Sequence, residues 1–445
     1  MIVVLLCFTA TTVQAVMRSS QGQGEALLIP YFNTLEGNST LLTISIPESR
    51  SKALKVHFRD TDGAIVLSFN LYLESRGSWV AAIYAADDKT ALTVPDDSCV
   101  LPNLASEGHA ALEETRSGFI EIIEMAEVSS SGPLHAEINQ LIRNQDCDGL
   151  QSLWDSGAWA TDVSTGLRKP SGGINATASI INVERGTHYG FDAIALQDFS
   201  DIVQHHSPGE PKPDLSSAHT ADTDAGETTS MVCFELGCES YRWEKPIDAV
   251  ASALAAFSLR DDFVTDEAIG AETEAIITFP LRYQYEQLGQ AGFDSNDIDL
   301  NLFDREGKGE IVNNPCTVLI ENPPCNGTYR SFSSKSVVSL VFGQSPNDEG
   351  QMIHSPIMGE ASAVFFPTTE FPFNGDSGVA FLYLNILRPD SLVTADGTVF
   401  RGRPAVSVFF TEILNSNLVD DESGERVRAN YGTSSAPVRD MRYQQ

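Results

Sequence analysis

Residues 41–80 read LLTISIPESRSKALKVHFRDTDGAIVLSFNLYLESRGSWV, and the spacing of their apolar residues decides the fold class. From Ser51 to Phe58, Ala53, Lys55 and His57 alternate with Leu54, Val56 and Phe58, the period-two pattern of a half-buried strand. Asp60-Thr61-Asp62-Gly63 supplies a tight turn, with Gly63 suited to positive φ. Ile65, Leu67, Phe69, Leu71 and Leu73 then fall on one face. The result is an antiparallel hairpin with one apolar side, which must pack on a second sheet.

The same reading extends along the chain. Ala26–Phe32, Ser78–Tyr84 and Gly118–Met125 read as strands, with Pro30 marking an edge or bend. After residue 260, strands are expected at Glu274–Phe279, Ile298–Phe303, Thr317–Glu321, Ser336–Phe342, Ala361–Phe366, Val379–Ile386 and Ala405–Thr411. Two stretches change period. Between Pro133 and Trp159, Leu134, Ile138, Leu141 and Ile142 follow helical spacing, and Leu150, Leu153 and Trp154 mark a second short helix. Pro246–Leu259 (PIDAVASALAAFSL) is the most helical segment, with alanines that permit close packing on a sheet.

The fold class expected is mainly β: two antiparallel, immunoglobulin-like β-sandwich domains with short helical inserts. Residues 16–203 form the first, with its helical insert near 133–159. Residues 231–445 form the second, with a helix near 246–259. Residues 204–230 are rich in Pro, Ser, Thr, Asp and Gly and nearly devoid of large apolar side chains, so they read as a flexible linker or loop.

Residues 1–15 (MIVVLLCFTATTVQA) are an apolar run closing on Val13-Gln14-Ala15, as before a signal-peptidase cut. No later run approaches the roughly 20 apolar residues of a membrane helix. Removal of the leader takes Cys7 and leaves Cys99, Cys147, Cys233, Cys238, Cys316 and Cys325. An even number behind a leader reads as three disulfides. Cys233–Cys238 and Cys316–Cys325 are the local pairs, leaving Cys99 for Cys147. The expected location is therefore exported: periplasmic, cell-surface or extracellular.

The balance of 61 acidic to 28 basic residues, a net charge of −33, repels nucleic acid and anionic lipid. The partner expected is a protein or surface, with the oligomeric state open.

No residue is nominated as catalytic, cofactor-binding or metal-binding, and no cofactor is expected. The chain lacks a G-x-S-x-G elbow, H-E-x-x-H, a phosphate loop and a strand-following G-x-G-x-x-G. Glu121 and Glu124 invite an acid/base reading, but residues three apart on a strand face opposite ways. His188 lies at a hairpin mouth, where a histidine is ordinarily solvated. His205, His206, His219, Asp222 and Asp224 could gather a metal ion, but in a segment without a rigid surround. Asp294–Asp299 resembles a calcium loop, yet has Asp299 where glycine belongs and Arg305 where glutamate belongs.

GEALLIPYFNT, SRSKALKVHFRD, LSFNLYL, GFIEIIEM, ASIINVERGTHYGFDAIAL, TEAIITFP and ANYG together resemble a family of exported, uncharacterised proteins of Gram-negative bacteria. That resemblance implies a periplasmic or cell-surface location and carries no activity, ligand or site residue. The function expected is a non-enzymatic envelope or surface protein with a structural, adhesive or interaction role. A carbohydrate- or calcium-binding β-sandwich module is the alternative, and a secreted hydrolase the second.

Overall fold

The computed structural model describes residues 14–445 except 88, 96, 105–109, 113, 133, 235–236, 290–296, 311–328, 332–334, 344–354, 361–362, 368–375, 385–391, 420–425 and 445. The hairpin that opened the sequence reading is present as Lys52–Asp60 paired with Ile65–Leu73, in register Lys52↔Leu73 through Phe58↔Leu67. Gly63 takes φ 94°, and Asp60 Oδ1 accepts from the Asp62 and Ala64 amides at 3.0 and 2.9 Å. A side-chain acceptor at the turn's first position satisfies amides that the ladder cannot reach.

That hairpin belongs to a sheet running Met17–Arg18, Ile194–Gln197, Ala26–Asn33, Ser117–Val128, Lys52–Asp60, Ile65–Leu73 and Cys99–Leu101. Facing it is a second sheet: Thr187–Asp192, Asn175–Asn182, Asn38–Ser45, Ser78–Ala86, Lys89–Thr93 and Ala110–Ala111. Leu54, Val56, Phe58, Phe69 and Leu71 meet Leu42, Ile44, Trp79, Ala81 and Ile83 between them. This is the inner face that the alternation required.

The C-terminal half repeats the plan. One sheet runs Gly309–Glu310, Asp297–Asp304, Ser377–Tyr383, Ser258–Val264 and Val438–Asp440. Its partner runs Val364–Pro367, Val337–Gly343, Ala271–Thr278, Val406–Val419 and Arg426–Ser435, with Val364–Pro367 the parallel member. Leu259, Phe263, Leu300, Leu302, Ala380 and Leu382 face Ala275, Ile277, Leu340, Phe342 and Phe409 across this core.

The helical insert is present as α1 (His135–Arg143) and α2 (Cys147–Asp155), and Asp146 caps α2 by accepting from the Gly149 amide. Helix α3 spans Pro246–Leu254 and is buried except at Pro246 and Asp248, which are half-buried. It stops short of the expected Leu259. Ala255 turns extended, Ala255–Ala256 pairs with Arg403–Pro404, and Ser258 opens the next strand. The alanine-rich pattern outlasts the helix because sheet partners outweigh helix propensity there.

Residues 204–220 depart from the linker expectation. They lie across the outer face of the first sheet, so Lys52–Asp60 is buried on both faces rather than one. The Gln204 amide donates to Met125 O at 2.9 Å, Lys55 Nζ to Ser207 O at 2.9 Å and Asn70 Nδ2 to His206 O at 2.9 Å. His57 Nε2 donates to Pro213 O at 2.9 Å. Order here comes from hydrogen bonds between strap carbonyls and buried sheet side chains, which apolar content does not register. Beyond it, Thr228–Ser230 already belongs to the hairpin Thr228–Phe234/Gly237–Trp243.

The two halves share a core. Tyr31, Phe119 and Tyr189 from the first half and Ile276, Val408 and Phe410 from the second cluster with α3 and Trp243. Gly432 sits so close to Tyr189 and His188 that a Cβ would lie 2.8 Å from the tyrosine ring and 3.0 Å from His188 O. Bare backbone is needed at that crossing.

Candidate functional site: an aromatic sheet face

The buried charges close to the first sheet are the first candidates. Glu121 and Glu124 do face opposite ways, as strand geometry requires. Glu121 pairs with Arg59 on the strap side at 2.8 Å, and Glu124 with Lys52 at 2.8 Å. Burial pushes the Glu121 carboxyl up to about 7 and the His57 imidazole down to about 3. Both are sealed at 0% exposure, and the clefts described below are lined by neither. A perturbed group without access to a substrate does structural work.

Lys52 and Ser171 have the spacing of a hydrolytic Ser–Lys pair, Nζ to Oγ 2.8 Å, which the sequence did not reveal. Lys52 Nζ also donates to Glu124 Oε1 at 2.8 Å and to Gly172 O at 2.6 Å. An amine with three acceptors has no lone pair to take a hydroxyl proton. The Gly172 amide, a ready oxyanion donor, is taken by Glu124 Oε2 at 2.8 Å. The cluster is an ion-pair clasp.

The histidines of the strap are dispersed. His205 sits in a box of Tyr72, Trp154 and Trp159, ring centroids 5.9, 4.6 and 4.6 Å away, and Tyr72 and Trp159 stack at 5.7 Å. Its Nδ1 donates to Val163 O and its Nε2 meets Tyr72 Oη, both at 2.9 Å, while burial lowers its pKa to about 3. His206 pairs with Glu210, and His219 with Asp201 and Asp224. Asp222 accepts from Thr229 Oγ1. Among the described residues no group of three or more His, Cys, Asp or Glu side chains is placed to hold a metal. The calcium-like segment lies largely outside the described residues.

Cys99–Cys147 and Cys233–Cys238 are bonded. Cys147 opens α2, so the first bridge ties the helical insert to the sheet edge. Cys316 and Cys325 lie outside the described residues.

The outer face of the C-terminal sheet is different in kind. Along Ser377–Tyr383, Ala380 and Leu382 point into the core, so Val379, Phe381 and Tyr383 point away from it, half-buried. The register places Asn301 and Arg260 on either side of Phe381, and Phe303 and Asp262 on either side of Val379. Phe303 meets Phe381 edge-to-face at 5.4 Å, Phe381 and Tyr383 stack at 6.4 Å, and the Arg260 guanidinium lies 5.7 Å over Phe381. A cleft of about 500 Å³ opens here, lined by Phe303, Val379, Phe381, Asp262 and Arg305. A mostly apolar cleft with a few convergent polar groups is the physical profile of a ligand site. A smaller cleft of about 330 Å³ lies beside Cys147 and Asp97.

The period-two pattern of SGVAFLY located the strand in the sequence. It could not say which face would be covered, because the other half decides that: Ile276, Val408 and Phe410 of the partner sheet join the shared core, leaving this face on the far side.

No family model and no curated protein matches the chain. Solved structures with some likeness include CG-16, a homodimeric agglutinin from chicken liver, at 12% identity and TM-score 0.17, covering 22% of this chain and 92% of that one. A toad ovary galectin complexed with thio-digalactose shares 11% identity over 22% of this chain and 92% of its own, with TM-score 0.16. Chicken galectin 2 shares 7% over 23% and 92%, with TM-score 0.17. No property of those proteins is carried over to this chain.

Proposed function

We propose that the chain is an exported, non-enzymatic interaction protein of the envelope or cell surface, which adheres through the outer face of its C-terminal sheet. The observation that carries this reading is the row Val379–Phe381–Tyr383, flanked by Arg260, Asp262, Asn301 and Phe303 on strands rigidly held from both sides. Large half-buried aromatics on a paired, immobile platform suit binding, because little side-chain or backbone entropy is lost on contact. The two disulfides among the described residues support an oxidising, extracytoplasmic setting. No helix among the described residues is long and apolar enough to cross a membrane. The Lys52–Ser171 pair lends the hydrolase reading no support, because its amine and the neighbouring amide are already spoken for.

The test is adhesion of the full-length chain to whole cells and to isolated envelope material. Phe381→Ala with Tyr383→Ala should abolish retention while leaving the thermal midpoint nearly unchanged, since both side chains lie outside the core. Retention unaffected by the double variant would reject the face. Turnover of an ester, glycoside or peptide substrate, lost on one Ser, Asp, Glu or His substitution that keeps the fold, would reject the non-enzymatic reading.

A further inference from the structure

We infer that the ligand of this face is a neutral saccharide chain, an inference that rests on the binding reading above and narrows it to one chemistry. Ser377–Tyr383 is paired on one side with Asp297–Asp304 and on the other with Ser258–Val264, so its amides and carbonyls are committed to the ladders. A peptide recognised by strand addition needs an unpaired edge. Here a ligand meets side chains only.

Those side chains form a lattice. Val379, Phe381 and Tyr383 make a central apolar column; at two residues per step its length is roughly 13 Å, longer than one sugar ring. Polar groups stand beside it: Asn301 and Arg260 at the level of Phe381, and Asp262 at the level of Val379. Arg offers donors only, Asp acceptors only, Asn both. A ligand that matches must present a flat C–H face to the rings and hydroxyls around its rim that both donate and accept. A pyranose does so. Its C–H bonds carry the partial positive charge that the negative face of an aromatic ring attracts.

Charge excludes the other stacking ligand. Single-stranded nucleic acid also stacks on aromatic platforms, but needs a positive groove for its phosphates. On this chain the net charge is −33; the cleft is lined by Arg305 with Asp262 and Asp304, and Arg260 stands over Phe381 beside it. A polyanion gains nothing there, whereas a neutral chain needs no counter-charge from the face.

The experiment is affinity electrophoresis of the full-length protein in native gels containing a β-glucan, a xylan, a galactomannan or, as the anionic arm, a pectate. At least one neutral polysaccharide should retard the wild type. Phe381→Ala should raise the apparent dissociation constant about tenfold, Phe381→Tyr should restore it, and Asp97→Ala in the smaller cleft should change nothing. Migration unretarded in every neutral gel, or retarded by pectate alone, overturns the ligand class. If adhesion to cells is lost in Phe381→Ala yet survives periodate oxidation of the surface and competing neutral polysaccharide, the binding face stands and the saccharide falls. Retardation indifferent to Phe381→Ala rejects both.

Discussion

Glu274 shows how much one buried carboxyl can hold within the C-terminal half. It is fully buried, accepts from Ser339 Oγ at 2.5 Å and from the Met358 amide at 3.1 Å, and lies near Glu360, which accepts from Tyr31 Oη at 2.6 Å. Burial raises its pKa to about 7, with Glu360 adding to the rise. A folded-state pKa above the unfolded one means a contribution present in full below the unfolded value and lost as pH rises through about 7. From pH 5 to 8 this group should withdraw on the order of 3 kcal/mol. Glu274→Gln, a neutral isostere whose amide can accept from Met358 and donate to Ser339, should flatten that part of the profile in urea unfolding at pH 5, 6.5 and 8. Glu25 and Glu121, also raised to about 7 by burial, keep some slope. An unaltered slope in the variant would contradict the assignment. The sequence showed that Glu121 and Glu124 face opposite ways, because period two is a local property. It could not show Arg59 or Lys52 as their partners, since those contacts span 62 and 72 residues of chain and depend on strand order.

At the scale of elements, legibility followed the origin of the order. The Lys52–Leu73 hairpin and α1–α2 were readable because their apolar periods are their reason for forming. The strap was not. Its only sizeable apolar residue in the core is Leu215, and its order comes from carbonyls received by Lys55, His57 and Asn70 and from His205 in the aromatic box. Hydrogen exchange should therefore show protected amides such as Gln204, which donates to Met125 O. Trp154→Ala removes one wall of the box and the hydrogen bond from Trp154 Nε1 to Tyr72 Oη. It should speed exchange across 204–214 severalfold, by local opening, with the Ala26–Asn33 strand unmoved. Fast exchange over 204–214 in the wild type would restore the mobile-segment reading.

For the whole molecule, the sheets in each half were expected and are found, whereas the core between the halves was not. Val408 and Phe410 meet Tyr31, Tyr189 and α3 on what a lone sandwich would expose, and pair patterns in sequence carry no mark of that contact. The consequence reaches function. By burying one outer sheet face against the first half, the fold leaves the Phe303–Phe381–Tyr383 face as the C-terminal half's outward platform. Hydroxyl-radical footprinting of the full-length chain, alone and saturated with the envelope material to which it adheres, reads those side chains directly. Phe303, Phe381 and Tyr383 should be strongly protected, with the exposed Tyr431 oxidised equally in both states. Equal oxidation of all four aromatics with and without bound material, or protection confined to the cleft beside Cys147, would contradict this.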